Sequence, residues 1–150
     1  MIHNQNLCFK NLLAPMIKDN AAFDTMTEID TAGFDYCTVV LHSGETTDIA
    51  LAAFTITESD TAGSGHAAFF TMGSTTQVDG TATSGVNAAD EIQAIEFDLR
   101  KRKRYINITA SGGDGASVGN SLGVMAILSR ANDIDADNKT QRGLDQLSRV

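Results

Sequence analysis

A run of five basic residues is the most distinctive chemical feature of this 150-residue chain. It lies between two segments of alternating apolar and polar residues and comprises Arg100, Lys101, Arg102, Lys103 and Arg104. Residues 1–98 contain 14 acidic side chains but only two basic ones, and the formal net charge of the chain is −8. The run therefore predicts a compact positive site on an acidic protein, which suits docking onto an acidic and ordered partner.

Two other interpretations of the run are open. It is a solvated loop if nearby acids such as Glu96 and Asp98 balance its charge, and exposed ion pairs of that kind stabilise a fold only weakly. Direct binding of nucleic acid is the other interpretation, but a net charge of −8 opposes it because such binding normally needs a broad basic face. We predict a protein partner and no direct contact with nucleic acid.

Histidine and cysteine are the remaining residue types that could do chemistry, and they are few and scattered. The chain has three histidines, at His3, His42 and His66, and two cysteines, at Cys8 and Cys37. A Cys/His metal site needs about four ligands at short spacings, so we predict no metal site. None of these residues stands in a nucleophile motif with a base and an orienting carboxylate, so we predict that the protein is not an enzyme.

A glycine-rich stretch at residues 112–119 invites comparison with a phosphate-binding loop. It lacks the Gly-Lys-Ser/Thr ending of that motif and does not lead into a helical pattern. A β-turn is the better interpretation, and we predict no cofactor.

Alternation of apolar and polar residues predicts the elements that must position the basic run. The 16 threonines favour strands and the 13 glycines favour tight turns. The predicted strands cover residues 23–29, 34–42, 49–58, 67–71, 91–99, 104–110 and 120–129. The last of these is apolar on both faces, which predicts a central strand, and residues 100–103 are predicted to be a hairpin loop.

The pattern predicts an all-β protein, either a β-sandwich or a jelly-roll-like barrel of about seven to eight antiparallel strands. The predicted domain covers residues 21–131, with a Gly/Ser-rich surface excursion at residues 59–90. Residues 132–150 are predicted to be a polar, acidic tail, or to contain one short helix around Gln141–Leu147. The opening residues lack a secretion signal, and no apolar run reaches the roughly 20 residues needed to cross a bilayer.

Residues 1–20 carry apolar side chains without a clean period and are interrupted by Pro15. Two interpretations stay open: a disordered terminus, or an extended N-terminal arm that packs on a neighbouring subunit. In the second case the partner-binding side chains are Leu7, Phe9, Leu12 and Leu13.

Four segments taken together resemble a known class of proteins. They are residues 1–6 (Met-Ile-His-Asn-Gln-Asn), 30–35 (Asp-Thr-Ala-Gly-Phe-Asp), 97–105 around the basic run, and 126–131 (Ala-Ile-Leu-Ser-Arg-Ala). In this order the chain resembles small virion proteins of tailed bacteriophages and prophages, of the capsid decoration or cement type. The likeness covers most of residues 1–131 and rests on general sequence character, without a catalytic signature.

The resemblance implies a β-rich module on the outer surface of a virion head. Its partners would be the major capsid protein and further copies of itself, as a homotrimer, and it would be assembled in the host cytoplasm. An alternative role is a tail, neck or fibre component of the virion. A carbohydrate-binding β-sandwich is a third possibility from another class, but the chain has no Trp and only Tyr36 and Tyr105 as tyrosines.

Overall fold

The protein folds into two four-stranded antiparallel sheets, as seen in a computed structural model that describes residues 6–19, 21–23, 25–44, 51–72, 91–113, 119–130 and 143–144. The strands are β1 (Cys8–Lys18), β2 (Ile29–Asp30), β3 (Tyr36–Ser43), β4 (Ala53–Ser59), β5 (Ala67–Thr71), β6 (Ile92–Asp98), β7 (Tyr105–Ser111) and β8 (Asn120–Ser129). Sheet A has the strand order β1-β8-β3-β6, and sheet B has the order β2-β7-β4-β5.

The pairing of the strands is that of a jelly roll. β1 pairs with β8, β2 with β7, β3 with β6 and β4 with β5, all antiparallel. The chain is thus arranged as one long hairpin of four strand pairs whose successive pairs alternate between the two sheets. The predicted all-β, sandwich-like fold is confirmed.

The core lies between the two sheets because strand side chains alternate between faces. In β3, Cys37, Val39 and Leu41 are buried, whereas Tyr36, Thr38 and Val40 on the other face are half-buried. Sheet B contributes side chains that are 0% exposed, namely Phe54, Ile56 and Ile106. Removal of this apolar surface from water is the main stabilising contribution to the sandwich.

β8 is a central strand, as its sequence predicts. It pairs with β1 on one side and β3 on the other, so its residues take part in two ladders. Leu122, Val124, Ala126 and Leu128 face the core and are 0–2% exposed. The inner cross-strand row Leu13, Val124 and Leu41 shows how β1 is joined to this core.

Residues 8–18, which we predicted to belong to an arm outside the sandwich, instead form β1 at the edge of sheet A. The irregular apolar pattern has a physical cause, since two register shifts interrupt the pairing of β1 with β8, between Asn11 and Leu13 and between Leu13 and Met16. These shifts let the adjacent Leu12 and Leu13 both be buried. Pro15 is tolerated because an edge strand leaves one row of N–H groups unpaired.

Two further predictions are wrong. Of the strand predicted at residues 23–29, only Ile29 is in the short strand β2; Phe23 and Met26 are both buried, a spacing of three that does not fit strand alternation. Residues 100–103 are not a hairpin loop, because β6 belongs to sheet A and β7 to sheet B. The connection crosses from one sheet to the other and contains a 3-10 turn, Leu99–Lys101.

β5 confirms the one strand predicted inside the Gly/Ser-rich excursion. Residues 73–90 of the predicted excursion lie outside the described residues, as does the predicted tail except for Gly143 and Leu144. Within the described ranges, no helix is long and apolar enough to span a membrane.

Candidate interaction surface

The basic run is held at one end of the sandwich by a buried anchor. Leu99 is 6% exposed, and its backbone N–H donates to the carbonyl of Asp35 at 2.8 Å. The Asp98 side chain caps the 3-10 turn by accepting from the backbone N–H of Arg100 at 3.0 Å, while the N–H of Arg102 donates to the Leu99 carbonyl. The beginning of the run is therefore fixed to the strands.

Arg100 forms an ion pair with Asp98 at 2.6 Å and donates to the Tyr36 hydroxyl at 3.0 Å. Its guanidinium also lies 5.3 Å from the centre of the Tyr36 ring, within the range of a cation–π contact. Hydrogen bonds from the Arg100 side chain and backbone lower the pKa of Asp98 to about 2. The same pair raises the pKa of Arg100 above its usual value.

Arg104 pairs with Asp30 of β2 through two parallel hydrogen bonds, at 2.8 Å and 2.7 Å. Bidentate geometry of this kind fixes the plane of the guanidinium. The side-chain bond from Arg104 lowers the pKa of Asp30, and the backbone N–H of Ala32 adds to this effect. The Arg104 guanidinium also lies 5.0 Å from the centre of the Tyr105 ring.

Arg102 and Lys103 reach towards β4 and the turn that follows it. Arg102 approaches Glu58 at 3.7 Å, and Lys103 approaches Asp60 at 3.3 Å. Arg102 also lies 4.3 Å above the ring of Phe69, which packs edge-on against Phe97 at 5.3 Å. These exposed and half-exposed pairs are individually weak, but they limit the directions in which the side chains point.

Lys101 differs from its four neighbours. It is exposed and forms no ion pair among the described residues, although its charge helps to lower the pKa of Asp98. Arg130, which follows β8, is also exposed and lies 5.5 Å from the centre of the Tyr36 ring, with its Nη1 3.5 Å from the hydroxyl. Two guanidinium groups thus face Tyr36. We call Tyr36, residues 98–104 and Arg130 the basic end.

The four apolar residues predicted to bind a partner are not equivalent. Leu12 and Leu13 are 5% and 4% exposed in this domain's own core, so they are not available to a neighbouring subunit. That part of the prediction is wrong. Leu7 and Phe9 are half-buried, and Phe9 lies on the outer face of sheet A.

The outer face of sheet A is an apolar surface that the sequence interpretation missed. Its exposed large side chains are Ile17, Ile92 and Met125, at 59%, 68% and 37% exposure. Strand register places Met125 beside Val40, and Ile92 beside His42, on this face. The signal was present in the sequence, because β8 is apolar on both faces. We call Phe9, Pro15, Ile17, Val40, Ile92 and Met125 the sheet A outer face.

The remaining residues with chemical potential make structural contacts. His66 Nε2 lies 2.8 Å from Glu28 Oε2, although the angle of this contact falls outside hydrogen-bond geometry. Glu28 also accepts a hydrogen bond from the backbone N–H of Gly63 at 3.0 Å. These contacts tie the turn after β4 to the segment before β2. In the described part of the chain, no group of three or more His, Cys, Asp or Glu side chains is placed to hold a metal ion.

Cys8 and Cys37 are free and buried thiols. Both lie in the inner row in which Cys8 pairs with Leu128 and Leu128 with Cys37, so one strand separates them. Two strand spacings correspond to about 9–10 Å, beyond the roughly 7 Å limit for a disulfide. Burial raises the pKa of Cys37 to about 12 and also raises that of Cys8.

Comparison with known proteins leaves the family open. No family model and no curated protein matches the chain. One solved chain, from the Bacillus endospore appendages that form a family of disulfide-linked pili, is similar over 84% of this chain and 89% of its own length. Its TM-score is 0.44 and its sequence identity is 13%. The jelly-roll assignment rests on the strand pairing of this chain.

Proposed function

We propose that this protein is a structural protein of a tailed-bacteriophage virion, of the capsid decoration type. In this proposal it binds the outer surface of the major capsid lattice through the basic end, acts as a homotrimer, and stabilises the head. Two lines of support meet here: the resemblance of residues 1–131 to small virion proteins, and the arrangement of cations and aromatic rings at the basic end.

The observation that carries the proposal is the concentration of cations at one end of an acidic molecule. Six of the 11 basic residues of the chain lie in residues 100–104 and at Arg130. Four carboxylates contact the run, and two of the six cations, Lys101 and Arg130, form no ion pair among the described residues. The basic end therefore keeps a local positive charge while the chain as a whole carries −8.

The fixed geometry of the basic end favours specific binding. Arginine and tyrosine are enriched at the energetically dominant positions of protein interfaces. Arg100 and Arg104 are oriented by carboxylates before any partner arrives, so less side-chain entropy is lost on binding than for free arginines. Lys101 and Arg130 remain to meet acidic groups of a partner, which speeds encounter and sets orientation.

A binding experiment with charge-reversed protein tests the proposal. We expect the variant Lys101→Glu with Arg130→Glu to bind purified heads of a phage carrying this gene at least about tenfold more weakly. Each substituted side chain is now negative and repels an acidic partner. Occupancy is measured by co-sedimentation with the heads, and cryo-electron microscopy of the complex locates the bound protein.

Lys10→Glu is the matched control. Lys10 is an exposed lysine on β1 that is not one of the residues of the basic end, and its reversal changes the net charge in the same direction. Equal weakening by both variants indicates a general charge effect and contradicts the proposed site. Density on the tail, neck or fibres instead of the head supports the alternative virion role and contradicts decoration.

A further inference from the structure

Backbone hydrogen bonds to a single residue bring three side chains together at one end of sheet A. The N–H of Asp35 donates to the carbonyl of Ser129 at 3.2 Å, and the carbonyl of Asp35 accepts from the N–H of Leu99 at 2.8 Å. The residue that follows each of these three contributes one side chain to a group that we call the Tyr36 cluster: Tyr36, Arg100 and Arg130. The backbone positions of the cluster are therefore fixed relative to one another.

The hydroxyl oxygen of Tyr36 accepts hydrogen bonds from both arginines of the cluster. Arg100 Nη2 lies 3.0 Å from this oxygen, and Arg130 Nη1 lies 3.5 Å from it. The two nitrogens are therefore no more than 6.5 Å apart, the sum of these two distances. Two guanidinium groups this close repel each other unless a negative charge lies beside them. Asp98 supplies that charge to Arg100, whereas Arg130 forms no ion pair among the described residues.

The Tyr36 cluster presents hydrogen-bond donors for which the described part of the chain provides no acceptor. Arg100 directs its Nε and Nη2 hydrogens to Asp98 and Tyr36, which leaves Nη1 unused. Arg130 makes only the contact of Nη1 with Tyr36. The Tyr36 oxygen already accepts two hydrogen bonds, so its own hydrogen is left to donate. A guanidinium has donors and no acceptor, so a ligand that fits this group must be an acceptor with negative charge.

The backbone of Arg130 is a second, independent feature of the cluster. Its φ is +53°, and Arg130 is the one non-glycine residue with a positive φ in the described part of the chain. This left-handed conformation is uncommon for residues other than glycine, and its energetic cost must be offset by the surrounding structure. Residues held in this way cluster at ligand-binding and active sites. Here the strained position belongs to the one described arginine that forms no ion pair.

The charges around the cluster favour a ligand with a single negative charge. Asp98 and Asp35 both attract Arg100, and Asp98 is in turn attracted by Lys101. Together with Arg130, these groups leave one positive charge in excess. A carboxylate carries one negative charge, accepts at both oxygens, and lies about 2.7–2.9 Å from the nitrogens of a guanidinium. One carboxylate can therefore reach both arginines, whereas the charge of a doubly ionised phosphate exceeds the local excess.

We propose that Tyr36, Arg100 and Arg130 form a binding site for a carboxylate. The carboxylate lies between the two guanidinium groups, accepts from Arg130 and from Nη1 of Arg100, and receives a further hydrogen bond from the Tyr36 hydroxyl. The source of the carboxylate rests on the proposed function, in which it is an Asp or Glu side chain of the capsid protein. The site itself does not depend on that role, because all of its donors belong to this chain.

Titration of the isolated, whole chain with acetate tests this proposal. The chemical shifts of the backbone amides of Tyr36 and Arg100 are followed by NMR, with chloride holding the ionic strength constant. We expect these shifts to saturate. Arg130→Lys keeps the positive charge but loses the planar fork of donors, so acetate should bind at least about threefold more weakly. Tyr36→Phe keeps the ring and removes the donating hydroxyl, and we expect a similar loss of affinity.

Arg102→Lys is the matched control, because it makes the same substitution in the basic run at an arginine that approaches Glu58 instead of Tyr36. It should bind acetate as the parent protein does. Absence of saturating shifts in the parent overturns the proposal, and so does an affinity that either Arg130→Lys or Tyr36→Phe leaves unchanged. Equal weakening by Arg102→Lys contradicts a local site, and tighter binding of inorganic phosphate contradicts its assignment to a carboxylate.

Failure of this site and failure of the virion role are distinguishable. The acetate titration uses the isolated protein, whereas the virion role is tested by co-sedimentation with phage heads. A protein that binds acetate as expected but does not bind heads supports the carboxylate site and contradicts the virion role. A protein that binds heads but shows no saturating shift with acetate contradicts the carboxylate site.

Discussion

β1 and the basic run are both peripheral segments, yet they are held in place by different forces. β1 lies at the edge of sheet A and is fixed by the burial of Cys8, Leu12 and Leu13. The run at residues 100–104 has no buried side chain, and its cations are held by carboxylates and aromatic rings at the surface. One segment is thus part of the core and the other is attached to it.

Because of this difference, we expect β1 to determine the stability of the domain and the basic run to determine how it recognises a partner. Burial of an apolar side chain contributes about 1.5–3 kcal/mol, whereas an exposed ion pair contributes about 0–1 kcal/mol. A change in β1 should therefore alter the free energy of unfolding of the whole domain. A change in the basic run should leave the domain folded and alter the positions of the cations that a partner would meet.

The largest effect is expected from shortening a β1 side chain in the core. Leu13→Ala should lower the free energy of unfolding by about 2–5 kcal/mol, because it leaves a cavity beside Val124. Urea denaturation of the isolated protein measures this loss. Ile17→Ala, at a position 59% exposed on the same strand, is the matched control and should change stability little. If Leu13→Ala and the parent protein had the same free energy of unfolding, β1 would be a peripheral arm and not a part of the core.

The sequence predicted the fold well because its strands alternate regularly. Alternation in β3 and the double-sided apolar character of β8 place both strands correctly, since each contributes a full row to the core. β1 was missed as a strand because its register shifts break the period of two. A bulge depends on how a strand pairs with its neighbour, so the local sequence pattern of β1 does not reveal it.

The basic run shows a second limit of sequence interpretation. Its composition predicted a surface site, but Asp30, Glu58 and Asp60 lie between 43 and 74 positions away from the cations with which they pair. They meet the run because β7, which follows it, pairs with β2 and β4. The nearby acid Asp98 was identified as a balancing charge, and it pairs with Arg100. Tyr36 and Arg130 were missed, since nothing local links them to the run.

Raising the pH above 9 should lower the free energy of unfolding of the domain, because the thiol of Cys37 on β3 is buried in the core. Burial raises the pKa of Cys37 from 9.0 to about 12, so the protonated thiol favours the folded state. This contribution is complete below pH 9 and is lost as pH rises towards 12, at about 1.4 kcal/mol per pH unit. Urea denaturation across this range should show the loss, and Cys37→Ala should reduce its slope.

Cys8→Ala provides the comparison for that experiment. The pKa of Cys8 is raised by burial too, but the positive charge of Lys10 opposes the shift. We therefore expect Cys8→Ala to flatten the alkaline slope less than Cys37→Ala does. Rapid labelling of Cys37 by a thiol reagent at neutral pH, in folded protein, would contradict the burial on which this prediction depends.

The smallest effect on the domain, and the most local one, is expected at Asp98. The hydrogen bonds from Arg100 lower its pKa from 3.8 to about 2, so the ionised carboxylate favours the ordered run. That contribution is present above pH 3.8 and is lost as pH falls towards 2. The protection factor of the Arg100 amide, whose N–H donates to Asp98, should fall across this range, while the protection factors of the β1 and β8 amides should not.

Asp98→Ala should give fast exchange of the Arg100 amide already at neutral pH and remove its acid dependence, because it removes the oxygen that caps the turn, without unfolding the sandwich. Glu96→Ala is the matched control, because Glu96 lies on the same strand and has no ion-pair partner among the described residues. If Asp98→Ala also exposed the β1 amides, the run would be a structural part of the sheet edge. β1 and the basic run would then not be separable into a segment that stabilises the domain and a segment that presents cations, because both would depend on the carboxylate of Asp98.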